Sequence, residues 1–501
     1  MDLLTGAIIS AIIALSVYFW FSKNTGRLPP YPVRPLPIVG HLFVLVSDQR
    51  AKFKRWREQC GDIFSRLYHQ NECMFYSLQL GSKVLVVLNG YDLIKEALVQ
   101  KAEDFSDRPL TVVENMTGLP QSGVVASSGR TWKEHRSVSL QILRNFGLGK
   151  NILAERIQEE VSFYIDSLSE CLGRPTDIKM MTTMSVSNII CSVMFGQRFD
   201  YTDQSFIKIT SLLENFFRTF ELNGIINFVP FLRYLPGDLF HLKKFKEDIQ
   251  EMLRLLDILI EDCRDGNKGD NLVTEYLQEM SRRKQNDADT TMSENNLKRL
   301  VFDFFNAGKE PTSTTIDWFV LYMLRHPDVQ KKVFDEINEH VGTERDPNIR
   351  DKQNLTYLNA AIMETQRLAS IAPYSLVHTC PRDVNIRGYT IPKGAYITPS
   401  LDSVLHDAKI WGNDVMSFRP ERFIDQEGKL LTPEQFVSFG LGKRDCFGES
   451  MAKTELFLYL STMFQKFEFR PTEQGNPHPL KYHLGVTAVP LPYHVRIVSR
   501  I

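Results

Sequence analysis

The sequence lacks the cysteine patterns of disulfide-rich and zinc-binding proteins. Its 501 residues include seven cysteines, which is an odd number, and no two of them show the C-x-x-C spacing. These absences argue against a disulfide framework and against a structural zinc site. They also favour a reducing compartment for the main body of the protein.

An excess of basic charge and a low-complexity linker are also missing. The net charge is −1 at pH 7, whereas proteins that bind nucleic acid usually carry a strong basic excess, so no nucleic-acid partner is predicted. Length alone suggests about three domains, but no linker or internal repeat divides the chain. We therefore predict one large, mainly α-helical domain with small β-sheets.

One long hydrophobic run is present, at the N-terminus. Leu3 to Phe21 forms an uncharged run of 19 residues, close to the about 20 needed to cross a bilayer. A cleaved signal peptide fits less well, because Asp2 replaces a basic start and no small-residue cleavage site follows. We predict that residues 1–22 are a single transmembrane anchor. Lys23 and Arg27 follow the run and place the body on the cytosolic side.

A proline-rich segment follows the predicted anchor. The stretch "LPPYPVRPLPIVG" contains five prolines, which cannot continue a helix and favour a stiff extended chain. We interpret residues 23–40 as a basic, proline-rich hinge. The hinge is either a plain linker or a rigid arm that sets the angle of the body to the membrane. Residues 41–501 are predicted to form the single domain.

The spacing of apolar residues predicts one long helix with a proline near its centre. Ser293 is a suitable N-cap and His326-Pro327 a suitable end, which gives about 33 residues and a length of about 50 Å. Pro311 lies in the middle, where a proline costs about 3 kcal/mol.

β-Structure is predicted at three places along the chain. Residues 74–90 read as a hairpin around Gly81-Ser82, and residues 384–401 read as a second hairpin around Pro392-Lys393-Gly394. A final helix is predicted after Cys446, followed by strand at the C-terminus.

A glycine-rich loop surrounds Cys446. Gly440, Gly442 and Gly448 allow backbone amides to approach a ligand closely, and the helix predicted to follow would place the thiol near a helix N-terminus. The helix dipole and Arg444 should lower the pKa of the thiol. Such a thiolate is a good soft ligand for iron. The alternative is a buried cysteine in a glycine-rich turn.

The complete loop carries a more specific pattern. Phe439, Gly442, Arg444, Cys446 and Gly448 fit F-x-x-G-x-R-x-C-x-G in full, which resembles the haem-binding loop of the cytochrome P-450 superfamily. The resemblance implies that Cys446 is the proximal thiolate ligand of haem b (iron protoporphyrin IX) and that Arg444 binds a haem propionate. It also implies the cytochrome P-450 fold for a haem-thiolate catalytic domain, preceded by one transmembrane helix.

Further segments match the family in the same order along the chain. Glu364 and Arg367 in "ETQR", with Arg422 in "FRPERF", resemble the charge triad that locks the core near the haem. Trp132 and Arg136 in "WKEHR" resemble the W-x-x-x-R pair that reaches a propionate.

A histidine and the proline-rich segment extend the resemblance. His378 lies five residues before Asp383, as in microsomal members whose histidine binds a propionate; the alternative for His378 is an ordinary core or loop histidine. The proline arm resembles the P-P-G-P hinge of the family, with Tyr31 in place of glycine.

The long helix resembles the central helix that crosses the distal haem face. Ala307, Gly308, Glu310 and Thr312 fit the motif A-G-x-[DE]-T-T and are expected to line the distal pocket as catalytic residues. Pro311 stands at the first threonine, whose hydroxyl takes part in proton delivery in the family. The helix is distorted there in the family, so a proline fits the bend while the hydroxyl is missing.

The resemblance implies a membrane-anchored haem-thiolate monooxygenase of the animal microsomal branch. It would sit in the endoplasmic reticulum membrane as a single-pass protein, bind membrane lipid, and insert one oxygen atom from O₂ into a small apolar substrate such as a lipid, sterol, terpenoid or xenobiotic. NADPH–cytochrome P-450 reductase would supply electrons, with cytochrome b5 as a further candidate partner.

Two alternative functions stay open, because the distal threonine is absent. One is a haem-thiolate isomerase or dehydratase that acts on a peroxide without a reductase. The other is a non-catalytic, membrane-tethered haem- or lipid-binding protein. Residues 112–125 and 214–237 are expected to be substrate-access elements. Lys133, Lys443 and Lys453 are either a docking patch for an acidic reductase or an ordinary solvated surface.

Overall fold

The computed structural model describes residues 28–36, 39–44, 49–68, 74–81, 83–145, 151–234, 236–264, 270–286, 289–472 and 478–500. The predicted membrane anchor at residues 1–22 lies outside these ranges, as does part of the predicted hinge. Among the helices in the described ranges, none has the length and hydrophobicity of a membrane span.

Helices dominate the described residues, which confirms the mainly α-helical part of the predicted fold class. They pack around one large hydrophobic core, and the β-structure lies in small separate sheets. The α-helices are α1 Gln49–Tyr68, α2 Tyr91–Lys95, α3 Ala102–Phe105, α4 Val112–Met116, α5 Gly129–Asn145, α6 Asn151–Ser169, α7 Lys179–Phe195, α8 Gln204–Asn223, α9 Leu242–Arg264, α10 Leu272–Asn286, α11 Glu294–Arg325, α12 Pro327–His340, α13 Thr356–Ala369, α14 Asp402–Leu405, α15 Ala408–Trp411 and α16 Glu449–Lys466.

Helix α11 is the long central helix that the sequence predicts. It runs for 32 residues without a break at Pro311. Ser293 caps its N-terminus, because the Ser293 side chain accepts a hydrogen bond from the backbone N–H of Asn296. The helix ends at Arg325, one residue before His326, as the sequence indicates. Its position in the core lets it contact α7, α13 and α16.

The strands form small sheets at the edges of the helical body. The four-stranded sheet has the order β1-β2-β7-β4, with β2 and β7 parallel, and a three-stranded sheet has the order β3-β11-β8. The hairpin predicted for residues 74–90 and the C-terminal strand are both confirmed. The strands are β1 Phe75–Leu80, β2 Lys83–Asn89, β3 Pro175–Thr176, β4 His378–Thr379, β5 Val384–Ile386, β6 Tyr389–Ile391, β7 Tyr396–Ser400, β8 Phe467–Pro471, β9 Tyr482–Leu484, β10 Ala488–Pro490 and β11 Val495–Ser499.

The turn predicted for the second hairpin is wrong. The hairpin pairs β5 with β6, and its turn is Arg387-Gly388, which have φ angles of +47° and +81°. A two-residue turn with both φ values positive matches the right-handed twist of paired strands, which explains why the hairpin turns at Arg387-Gly388. Pro392-Lys393-Gly394 also forms a turn, closed by the Ala395 N–H on the Pro392 carbonyl at 3.0 Å. That turn leads from one sheet to the next.

The predicted charge triad is assembled inside the protein. Arg367 donates two hydrogen bonds to Glu364, at 2.7 and 2.8 Å, and both residues are fully buried. The Arg422 guanidinium reaches the same carboxylate at 3.4 Å. Arg367 also donates to the carbonyls of Leu405 and Val415. The triad therefore ties α13 to the irregular segment that leads towards the cysteine loop.

Candidate functional site

The cysteine loop is held in one conformation by its own backbone and by a close neighbour. The Cys446 N–H donates to the Phe439 carbonyl at 2.8 Å, which closes the loop. Gly442 has a φ of +83°, and a Cβ atom there would lie 2.2 Å from the Leu98 carbonyl oxygen. A side chain at Gly442 would push the loop away from the turn that contains Leu98.

Cys446 is an exposed residue even though many protein atoms surround its thiol. It lies three residues before α16, near a helix N-terminus as predicted. Burial raises the pKa of the thiol to about 11, although the Gly448 N–H and Arg136 favour the thiolate.

The predicted low thiol pKa is therefore wrong for the protein without a metal. The Arg444 guanidinium does not lie on the sulfur, because it donates to the carbonyls of Ser106 at 2.8 Å and Ser127 at 2.6 Å. A bound metal ion supplies the missing positive charge and deprotonates a coordinating thiol.

The central helix presents one accessible face towards this loop. Ala307 is exposed, and Phe304, Gly308 and Pro311 are partly accessible, although most of the surrounding helix is buried. The spacing 304, 307, 308 and 311 places these residues on one side of α11. The ring of Phe304 meets the ring of Phe447 edge-on, with centroids 5.2 Å apart. This contact brings the cysteine loop next to the accessible face of α11.

A cluster of cationic and N–H groups lies beside the cysteine loop. The guanidinium of Arg444 stacks 3.9 Å from the centre of the Trp132 ring, and the pKa of His378 is lowered by burial, then by Arg108 and Arg444. The Nδ1 atom of His378 is 2.6 Å from the Phe105 carbonyl and must donate to it, so Nε2 of the neutral ring is an acceptor and lies 3.5 Å from the Ser375 hydroxyl.

The cluster carries more positive charge than the described residues neutralise. Burial lowers the pKa of Arg108 to about 10, and burial with Arg108 lowers that of Arg444 to about 8. Neither arginine forms an ion pair with a carboxylate in the described ranges, and Arg108 Nε and Trp132 Nε1 have no partner there. Buried donors without partners are costly, so the cluster fits an anionic ligand.

Three of the predicted propionate-binding residues come together, and the fourth, Arg136, is bound to the neighbouring Asp445 of the cysteine loop. Trp132, His378 and Arg444 belong to the cluster, whereas the Arg136 guanidinium donates to the Asp445 carbonyl at 3.2 Å and to the Asp445 carboxylate. Arg108 is the member that the sequence did not reveal. No motif spacing marks it, because it reaches the cluster from an irregular segment by tertiary packing.

Glu310 and Thr312 on the central helix form hydrogen bonds with different partners. The Glu310 carboxyl accepts hydrogen bonds from Thr487 and from Thr314, the latter at 3.2 Å, and burial raises its pKa. The Thr312 hydroxyl lies against Glu455 on α16, whose pKa is raised to about 8 by burial. Glu455 and Thr487 were not identified from the sequence, since neither belongs to a motif.

The predicted access element at residues 112–125 is pinned to the central helix. Arg299 pairs with Glu114 on α4 at 2.7 Å and with Asp303 at 2.8 Å. The Asp303 carboxylate also accepts the backbone N–H groups of Val124 and Val125, at 2.9 and 3.0 Å. The element therefore covers one end of the accessible helix face.

An exposed cysteine, an adjacent helix face and a cationic cluster together define a thiolate-ligated haem protein. A Cβ atom at Gly448, two residues after the thiol, would meet nothing within 4 Å, and the cluster suits the two carboxylates of a haem. The sequence model for Cytochrome P450 matches residues 29–497, and the chain belongs to this family.

Curated relatives agree over nearly the whole chain. The chain is 38% identical to Cytochrome P450 2B2 of Rattus norvegicus over 89% of this chain and 88% of the relative. It is 34% identical to Cytochrome P450 2D10 of Mus musculus, covering 100% and 99%, and 36% identical to Cytochrome P450 2C3 of Oryctolagus cuniculus, covering 99% and 100%.

These relationships settle the class of cofactor and of reaction. The family binds haem b through a cysteine thiolate, and the chain is a cytochrome P450 monooxygenase similar to mammalian microsomal members. The alternative of a non-catalytic haem- or lipid-binding protein is therefore set aside.

Proposed function

We propose that this protein is a membrane-bound monooxygenase of the endoplasmic reticulum that oxidises small apolar molecules with electrons from NADPH. In the overall reaction a C–H bond of the substrate, O₂, two electrons and two protons give an alcohol and water. The observation that supports the proposal is the exposed Cys446, in a loop whose Phe447 packs against Phe304 on the accessible side of the central helix.

Each residue of this site receives a distinct role. Bound haem b supplies the activation of O₂. We assign the metal-ligating sulfur to Cys446, and the propionate contacts to Trp132, Arg444 and the additional Arg108, because these three converge and neither arginine forms an ion pair in the described ranges. His378 joins them when the propionates hold a second proton on its ring, at Nε2.

The loop residues around the thiol act on its position. Phe439 and Gly442 hold the loop closed, through the hydrogen bond from Cys446 and through the close approach to Leu98. Gly448 is the N-cap of α16, and its Cβ position has no neighbour within 4 Å. Arg136 acts through Asp445, since its guanidinium holds that part of the loop.

Proton delivery follows an altered route along the central helix. Pro311 carries no hydroxyl and no N–H, so the Ala307 carbonyl has lost its usual helical donor and is free to hold a water molecule. Gly308 keeps this part of the helix close to α7, because a Cβ atom there would lie 2.4 Å from Ile190. Glu310 follows Ala307 by three residues on α11 and burial raises its pKa, so we propose it as the proton donor.

Thr312 has a supporting role in this proposal. Its hydroxyl lies against Glu455, so it connects the central helix to the helix that follows Cys446. A direct contact between Thr312 and the substrate is not required.

The surface that carries Lys133, Lys443 and Lys453, where an electron donor would dock, is less basic than its three lysines alone suggest. Lys133 and Lys443 both pair with Glu103, the former at 3.4 Å, and Lys453 pairs with Glu449 at 2.6 Å. We still propose this face as the docking site for a reductase, with cytochrome b5 as a second partner, since three lysines meet two carboxylates. Reversal of Lys443 to Glu should slow reduction at low salt and have little effect at high salt.

The membrane attachment is proposed from residues 1–22, which would leave the described domain on the cytosolic side of the endoplasmic reticulum. The apolar character of the run and the microsomal relatives support this topology. Protease added to intact microsomes should then digest residues 41–501, and protection of that region would contradict the topology.

The test of the proposed reaction separates oxygen insertion from peroxide rearrangement. The purified holoenzyme is mixed with a microsomal reductase, NADPH and ¹⁸O₂, and a panel of lipids, sterols, terpenoids and xenobiotics is first screened for substrates that shift the haem absorption band. One ¹⁸O atom in the product, with product dependent on NADPH, is the expected result. Product formed from a lipid peroxide with neither NADPH nor reductase would show that Pro311 marks an isomerase or dehydratase.

A further inference from the structure

We propose that Thr487 is a positioning residue that orients the Glu310 carboxyl and provides the hydroxyl contact that the central helix lacks at Pro311. Thr487 lies between β9 and β10, far from α11 in the sequence. The inference rests on the proposed function, in which Glu310 is the proton donor.

The hydrogen bonds at Glu310 are divided unequally between its two oxygens. The hydroxyls of Thr487 and Thr314 both donate to Oε1, whereas Oε2 is buried and has no partner among the described residues. An oxygen that already accepts two hydrogen bonds is the poorer place for a proton. When the carboxyl is neutral, its proton therefore resides on Oε2, the oxygen free to pass it on.

The position of Thr487 is fixed relative to the central helix. The next residue, Ala488, donates its N–H to the Ile371 carbonyl at 2.7 Å and accepts from the indole N–H of Trp318 at 2.8 Å. Trp318 belongs to α11, as does Glu310. The Thr487 carbonyl also accepts from the Gly485 N–H at 2.9 Å, which closes the turn. The hydroxyl is thus held against Glu310 by the backbone on both sides.

The hydrogen bonds from hydroxyl groups contribute to the protonation state of Glu310, because the other charged groups act on it only from a distance. Burial raises the pKa of Glu310, while Lys309 on the same helix and Lys179 on α7 lower it from a distance. Lys309 is itself buried and lies 3.4 Å from the Thr210 carbonyl. Hydrogen bonds from Thr487 and Thr314 favour the ionised carboxylate, so removal of either hydroxyl should raise the pKa of Glu310.

The test reads the Glu310 carboxyl directly by infrared spectroscopy. Difference spectra of the ferric holoenzyme between low and high pH contain the carbonyl stretch of each protonated carboxyl, and the band that disappears in Glu310→Gln belongs to Glu310. The variants are Thr487→Val, which removes only the hydroxyl, and Thr487→Ser, which restores it. Thr462→Val is the matched control, because Thr462 is also buried and its hydroxyl bonds only to the Leu458 carbonyl.

The expected result is specific to the hydroxyl. In Thr487→Val the Glu310 band moves to higher frequency and titrates at higher pH, while Thr487→Ser and Thr462→Val keep the wild-type band. The ratio of product formed to NADPH consumed also falls in Thr487→Val and recovers in Thr487→Ser. An identical Glu310 band in wild type and Thr487→Val would overturn the inference.

Failure of the proposed function gives a different pattern. If the band shifts in Thr487→Val but the product ratio is unchanged in both Thr487→Val and Glu310→Gln, the contact exists and Glu310 is not the proton donor. That outcome refutes the relay and, with it, the positioning role of Thr487.

Discussion

Three glycines of the cysteine loop provide a graded test of how the loop holds its ligand. Each is replaced by alanine, which adds one methyl group. Gly440 and Gly442 have φ angles of +82° and +83°, whereas Gly448 has a φ of −95°. A Cβ atom at Gly440 meets only the Asp445 Cα at 3.7 Å, an ordinary contact, but at Gly442 it would lie 2.2 Å from the Leu98 carbonyl oxygen.

The expected losses of stability follow from these contacts. Gly440→Ala costs about 1–2 kcal/mol from backbone strain. Gly442→Ala adds about 1–3 kcal/mol of overpacking, for a total of about 2–5 kcal/mol. Gly448→Ala has neither cost, but Gly448 is the N-cap of α16, where alanine is disfavoured by about 0.5–1 kcal/mol. The restriction of the unfolded chain offsets about 0.4–1 kcal/mol of this, so we expect a change within about 1 kcal/mol.

The assay is urea unfolding of each variant, together with haem bound per polypeptide. We expect haem content to fall most in Gly442→Ala, because its strain is relieved by moving the loop away from the turn at Leu98. Equal losses in Gly440→Ala and Gly442→Ala would show that the close approach to Leu98 is unimportant. A loss of more than about 2 kcal/mol in the Gly448→Ala apoprotein, beyond any N-cap effect, would contradict the absence of neighbours around its Cβ position.

Three further changes test other parts of the site and the fold. Arg367→Met leaves the buried Glu364 carboxylate without its main partner, so it should lower the free energy of unfolding by about 3–5 kcal/mol and abolish haem binding. The control is Arg419→Met, at an exposed arginine. Near-equal urea midpoints for the two variants would contradict the prediction. Burial alone would raise the pKa of Asp402, but His406 and Arg50 lower that pKa well below its usual range. Asp402→Asn should therefore destabilise the protein at neutral pH, by an amount that shrinks as pH falls below about 4; a pH-independent difference would refute this linkage. Pro311→Thr should raise the ratio of product to NADPH consumed and lower hydrogen peroxide release; an unchanged ratio would show that the missing hydroxyl does not limit proton delivery.

The features predicted correctly from the sequence depend on short-range spacing. The ends of α11 follow from Ser293 and His326, and the Glu364–Arg367 pair follows from one turn of helix. The turn of the second hairpin was misplaced because Pro392-Lys393-Gly394 has turn composition, while the strands pair across Arg387-Gly388. Composition marks turns without telling which of two turns joins paired strands.

The parts of the site that escaped prediction come from segments distant in the sequence. Arg108 joins the cationic cluster and Thr487 reaches Glu310 only through tertiary packing. The pKa of the Cys446 thiol was predicted in the wrong direction for a related reason. The helix N-terminus and Arg444 are adjacent in sequence, but burial of the thiol outweighs them and Arg444 is committed to carbonyl groups.

The central claim is that Cys446 binds haem iron as a thiolate, and the spectrum of the reduced protein with carbon monoxide tests it most directly. Wild type and Cys171→Ala, in which a partly buried cysteine far along the chain is removed, should both show the red-shifted band of thiolate-ligated haem. Cys446→Ala should lose that band. An unchanged band in Cys446→Ala would contradict the account.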